Sequence, residues 1–172
     1  MNKIILVGYM AVGKTTTADL LSKKIDFKVV DLDKLIEEKV GLCITEIFTK
    51  KGELYFRKIE HQIFKEILEN DEKLIISTGG GTPCYADNHL LLNLENNISI
   101  YLKASVDTII HRLKFAKNGR PLIANISTEK TQEFVAKHLF ERSHFYHQAT
   151  FTITTDSRTP EEIVEQIVQL LD

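Results

Sequence analysis

The stretch Ile4-Ile5-Leu6-Val7-Gly8-Tyr9-Met10-Ala11-Val12-Gly13-Lys14-Thr15-Thr16 decides the fold. Its first four residues are continuously apolar, as a strand buried on both faces should be. They run directly into G-x-x-x-x-G-K-[ST], spelled by Gly8 to Thr15, and a helical pattern follows. Glycines let such a backbone curl so that successive N–H groups point inward at phosphate oxygens. The helix beginning near Lys14 adds the positive end of its dipole. The pattern assigns Gly8, Ala11, Val12, Gly13, Lys14, Thr15 and Thr16 to nucleotide binding. Within it, Lys14 reaches the β- and γ-phosphates and the Thr15 hydroxyl serves Mg²⁺, which takes oxygen ligands and keeps several waters. A chance glycine-rich turn would have to meet four fixed positions between a strand and a helix. The motif leaves kinases, switch GTPases and mechanical ATPases open.

Working outward, short runs rich in Val, Ile and Phe alternate with longer stretches of helical period. Strands are predicted near 3–7, 27–31, 73–78, 98–102 and 150–155. This is the pattern of an α/β fold, a three-layer α/β/α arrangement with a five-stranded parallel sheet. Ala18, Leu21 and Ile25, and then Phe56, Ile59, Ile63 and Ile67, recur at helical spacing and read as core faces. Thr159-Pro160-Glu161-Glu162 opens the last helix, with Thr159 as cap, Pro160 at the first helical position and Glu162 closing a capping box. Ala116-Lys117-Asn118-Gly119-Arg120-Pro121 breaks the period with Gly and Pro between two helical stretches, and reads as a loop.

At 172 residues, the chain suits one substantial core, so residues 1–172 are predicted to form a single domain. A formal charge of −2 with no long run of either sign advertises neither nucleic acid nor an anionic membrane. Cys43 and Cys84 lack metal-ligand spacing and a Cys-x-x-Cys pair, and read as reduced thiols. The first strand begins at once, leaving no room for a cleavable signal, so a cytoplasmic protein is expected, and a monomer.

Chemistry-bearing residues gather where the strands end, the place where open α/β sheets bind ligands. Strand two ends in Val29-Val30-Asp31-Leu32-Asp33, and alternation would turn both carboxylates the same way. One suits Mg²⁺ and the other a substrate hydroxyl; equally, Asp33 could simply cap a helix starting at Lys34. Arg57 and Glu60, three apart on a helix after Gly52, can pair and fix the arginine fork for a substrate carboxylate, or can be a solvated surface pair. Ser77-Thr78-Gly79-Gly80-Gly81 follows strand three. Three glycines together imply close backbone approach or positive φ, and Ser77 falls near the metal. Arg112 sits on a helix and Arg120 in the Gly-Pro loop, where positive charge could meet the transferring phosphoryl group. Arg142, on a further helix, reads by itself as a surface charge.

Taken in order, these segments resemble the shikimate kinase family along essentially the whole chain. The family's phosphate loop, D-x-D, G-E-x-x-F-R-x-x-E, G-G-G, R-P-L and R-x-x-x-Y stand here as Gly8 to Thr15, Asp31 to Asp33, Gly52 to Glu60, Gly79 to Gly81, Arg120 to Leu122 and Arg142 to Tyr146. The resemblance implies a P-loop kinase fold related to nucleoside monophosphate kinases, with a substrate-binding segment at about 32–60 and a lid at about 112–125. It implies transfer of the ATP γ-phosphoryl group to the 3-hydroxyl of shikimate, with Mg²⁺ as cofactor. By the same resemblance Asp33 binds the reacting hydroxyls, Arg57 and Arg142 grip the carboxylate, and Gly79, Gly80 and Gly81 contact the ring. Lys14, Asp33 and Arg120 are then catalytic, Thr15, Asp31 and Ser77 lie at the metal, and Arg112 and Pro160 flank adenine. One departure stands out: the family loop usually carries Gly where this chain has Ala11.

Two rivals remain. A kinase for gluconate or a nucleoside monophosphate would share the loop but would not need Asp33, Arg57, the glycine run and Arg142 together. A regulatory switch should show D-x-x-G after strand three and N-K-x-D for guanine, and neither is present.

Overall fold

The computed structural model describes residues 1–115 and 128–171, with the backbone alone at positions 128 and 129. Its centre is β1 (Lys3–Val7), all five residues of which are buried. Because neighbouring side chains point to opposite faces, full burial means that both faces are covered. Even Lys3 complies: its stem is buried and its ammonium donates to the carbonyls of Asn70 and Glu72, each at 2.7 Å.

β1 pairs in parallel with β3 (Leu74–Ser77) on one side and β4 (Asn97–Lys103) on the other. β2 (Lys28–Asp31) and β5 (Phe151–Thr154) close the edges, giving the all-parallel order β2-β3-β1-β4-β5. The five predicted strands are thus present within a residue or so of their ends. The helices are α1 (Lys14–Leu21), α2 (Leu32–Val40), α3 (Ile44–Lys51), α4 (Glu53–Glu69), α5 (Asn88–Leu91), α6 (Val106–Phe115), α7 (Thr128–Tyr146) and α8 (Pro160–Leu171), with a 3-10 turn at Thr82–Cys84.

The α8 start follows the capping box: Thr159 N donates to Glu162 at 2.8 Å and Glu162 N to Thr159 Oγ1 at 3.2 Å. One helix is shorter than its apolar pattern. α1 ends at Leu21, where Lys23 N and Lys24 N bond three residues back, to Leu20 and Leu21, and tighten the chain into a turn. Ile25 therefore leaves the helix, yet still packs on the core.

The order of strands positions the site. From β1 the chain crosses toward β2, and from β3 it crosses to β4 on the other side of β1. The carboxyl ends of β1 and β3 flank the point where the connections diverge, which is where open α/β sheets form a crevice.

Candidate active site

The phosphate loop leaves β1 and curls back into α1. Gly8 has φ 141°, and a Cβ there would fall 2.6 Å from the Leu102 carbonyl oxygen, so only glycine lets the loop lie against β4. Gly13 caps α1 in the left-handed conformation, φ 102°. Lys14 Nζ folds over the loop and donates to the carbonyls of Gly8 at 2.8 Å and Tyr9 at 2.9 Å. Ala11 is also left-handed, φ 62°, the position where the family usually carries glycine.

A cleft of about 350 Å³ opens above the loop, lined by Ala11, Gly13, Lys14, Thr15 and Thr16 together with Asp31, Asp33, Ser77, Gly79, Gly80 and Arg112. Register brings the oxygen donors together, because Asp31 at the end of β2 lies beside Ser77 at the end of β3. Thr15 Oγ1 donates to Asp31 Oδ2 at 3.0 Å and stands 3.3 Å from Ser77 Oγ. These are hard oxygen donors with a single carboxylate, a set that suits Mg²⁺ carried in by phosphates better than a closed protein cage.

The two aspartates reach the cleft differently from the strand alternation predicted. β2 stops at Asp31, which caps α2 by accepting from Lys34 N at 3.3 Å, so Asp31 and not Asp33 is the capping residue. Asp33 lies in the first turn of α2, where a carboxylate suits the helix dipole, and it still lines the cleft.

On the far side the glycine run is built for close approach. None of Gly79, Gly80 and Gly81 has positive φ. A Cβ on Gly79 would lie 3.0 Å from Asp33 Oδ1, and one on Gly81 would lie 2.8 Å from Arg57 Nη2. Arg57 is no surface ion. Its Nη1 donates at 2.8 Å to Glu60, which is fully buried, and the Tyr85 ring lies 4.0 Å from its Cζ. Burial opposes the guanidinium charge, but the Glu60 carboxylate and its hydrogen bond, with Tyr85 and Glu53, more than offset this and hold the pKa above its ordinary value.

Arg142, half-buried on α7, lies over the Tyr9 ring at 5.7 Å. Burial pushes the Cys84 thiol up to about 11, against the pull of both Arg142 and Arg57, so the two arginines converge on one neighbourhood. Tyr146 donates to the Gly80 carbonyl from a fully buried position, tying α7 to the glycine run.

Arg112 is held by the loop and by the end of the sheet. Its Nη1 donates to Val12 O at 3.0 Å and Thr155 Oγ1 at 3.1 Å, and its Nη2 to Thr155 O at 2.9 Å. Pro160 is exposed at the start of α8 and is not among the cleft's lining residues, nor are Gly8 and Val12, which shape the loop from behind, nor Arg57, Gly81 and Arg142. Residues 112–115 of the expected lid belong to α6, while Arg120, Pro121 and Leu122 lie outside the described residues. Met10 and Thr78 also line the cleft and were not singled out in the sequence. Thr78 directly precedes the glycine run, which was the available signal; Met10 occupies a free position of the motif and gave none.

A phosphate loop that shares its cleft with Asp33 of α2 and with the glycine run after β3 is the arrangement of a P-loop small-molecule kinase. The family model described as shikimate kinase matches residues 10–172. The chain belongs to the shikimate kinase family. A shikimate kinase of Flavobacterium psychrophilum is 50% identical over 171 residues, covering 99% of each chain. The crystal structure of shikimate kinase from Bacteroides thetaiotaomicron superposes with a TM-score of 0.92 at 34% identity, covering 98% of this chain and 97% of that one. Shikimate kinase from Acinetobacter baumannii, solved in complex with shikimate, gives 0.88 at 31% identity over 99% and 93%. Among the described residues, no helix is long and apolar enough to cross a membrane.

Proposed function

We propose that this chain transfers the γ-phosphoryl group of ATP to the 3-hydroxyl of shikimate, giving shikimate 3-phosphate and ADP on the way to chorismate and the aromatic amino acids. One observation carries the reading: Arg57, fixed by the buried Glu60, lies against Gly81, while Gly79 of the same run lies against Asp33 and lines the cleft together with Lys14.

In this reading the glycine run leaves room for a ring between Asp33 and Arg57. The Arg57 fork and Arg142 take the acceptor's carboxylate, since a planar guanidinium matches a carboxylate in two bonds. Asp33 accepts the hydrogen bond of the reacting hydroxyl and orients its oxygen toward the phosphoryl group. Phosphoryl transfer through a loose transition state depends mainly on such positioning and on charge. Lys14 and the backbone N–H groups of the loop hold the β- and γ-phosphates in line with that oxygen. Thr15, Asp31 and Ser77 would hold Mg²⁺, which when bound neutralises charge on the phosphate oxygens. Arg120, assigned by the family motif alone, supplies further positive charge to the transferring group. Arg112 and the segment leading to Pro160 flank the adenine. We read the whole chain as one cytoplasmic, monomeric domain.

The arginine grip suits an acceptor that carries a carboxylate, which a nucleoside monophosphate lacks. Replacing Arg57 by Ala should abolish tight shikimate binding and leave ATP binding intact, each measured by titration calorimetry. Unchanged shikimate affinity would contradict the proposed grip.

A further inference from the structure

Behind the cleft runs a buried polar chain that the reaction described above does not use. Glu60 gives one oxygen to Arg57, and its other oxygen accepts from Thr82 Oγ1 at 2.7 Å. Asn88 Nδ2 donates to the Thr82 carbonyl at 2.9 Å, and Asn88 Oδ1 lies 2.7 Å from His61 Nδ1. With the Asn88 amide donating to Thr82, its oxygen accepts, so His61 Nδ1 carries the proton. Glu60, Thr82 and Asn88 are all fully buried.

A carboxylate bound at both oxygens has a single orientation. If the Thr82 hydroxyl is removed, one Glu60 oxygen is left buried without that donor, and the carboxylate can turn about its last torsion. The Arg57 fork makes two longer bonds to Glu53 Oε1, each at 3.4 Å, and its shorter Nη1 bond follows that torsion. The surroundings fix Thr82 just as firmly. A Cβ on Gly79 would come within 3.0 Å of its Oγ1, and two consecutive left-handed residues, Ala86 (φ 51°) and Asp87 (φ 56°), deliver Asn88 to its carbonyl.

We propose that the Thr82 hydroxyl, anchored through Asn88, is a positioning group that aims Arg57, by way of Glu60, at the acceptor's carboxylate. The proposal rests on the shikimate kinase reading only for the identity of the acceptor.

Two near-isosteric variants separate positioning from packing. Thr82→Val keeps the shape and removes the donor, while Thr82→Ser keeps the donor. Thr82→Val should raise KM for shikimate about tenfold, with kcat and KM for ATP within about twofold of the parent, and Thr82→Ser should stay close to the parent in all three. An unchanged KM for shikimate in Thr82→Val would overturn the proposal, and so would a fall of kcat with a parallel rise of both KM values, which is what general loosening produces. A second readout needs no acceptor. In nitrogen-15 spectra of the free enzyme, the Arg57 guanidinium should give separate Nη–H signals in the parent and Thr82→Ser, and averaged signals in Thr82→Val. Unaltered signals in Thr82→Val overturn the proposal whatever the acceptor. Altered signals in an enzyme that does not turn over shikimate support the positioning while refuting the acceptor.

Discussion

Ala11 holds a left-handed backbone that an L side chain resists, inside the loop that holds the phosphates. Left-handed geometry costs an alanine about 1–2 kcal/mol. Glycine would remove that strain while adding about 0.4–1 kcal/mol of unfolded-state entropy. The strain outweighs the entropy, so Ala11→Gly should stabilise the protein by up to about 1 kcal/mol, a rise of about 2–4 °C in the thermal midpoint. A lowered midpoint would mean that the surrounding loop favours the methyl group. At the same scale, Arg120 is assigned to the charge that develops during transfer, so Arg120→Ala should cut kcat by orders of magnitude and change shikimate affinity much less. Normal turnover in that variant, measured by steady-state kinetics, would remove Arg120 from the mechanism.

Among the elements, α7 binds the two halves of the site together. Phe134, His138, Arg142 and Tyr146 recur every four residues and so share one face of the helix. That face meets the phosphate loop through Tyr9, whose hydroxyl lies 3.2 Å from His138 Nδ1, and the glycine run through Tyr146. Burial lowers the His138 pKa, with Arg142 and Lys137 adding to it and Glu141 opposing. Its folded value therefore lies below the unfolded 6.5, and between the two the unfolded chain binds more protons. Stability should fall as pH drops through about 6.5 and level off below the folded value. In His138→Gln the decline in urea midpoint over that range should be shallower than in the parent; identical slopes would refute the assignment. This face also marks the limit of the sequence. Apolar period reveals a core stripe, but Arg142 is polar and by itself read as a surface charge. Similarly, the spacing of Arg57 and Glu60 showed that they could pair but not that Glu60 is buried, because Thr82, whose hydroxyl donates to it, lies 22 residues beyond Glu60. Asp31 and Asp33 were legible as residues of the strand-end crevice, while the start of α2 at Leu32, which separates their geometry, was not.

For the molecule as a whole, the strand order does the organising. The β1 end supplies the phosphate loop, and the adjacent β3 end supplies the glycine run, so both border one crevice. Five strands and most helices were legible, because buried parallel strands read as unbroken apolar runs and phosphate loops demand glycine at fixed places. ADP release should be measured with ATP and Mg²⁺ in the presence of shikimate, gluconate or a nucleoside monophosphate in turn. Marked acceleration by shikimate alone, with one equivalent of shikimate 3-phosphate formed per ADP, is the expected result; no acceleration by shikimate, or equal acceleration by another acceptor, would refute transfer to shikimate.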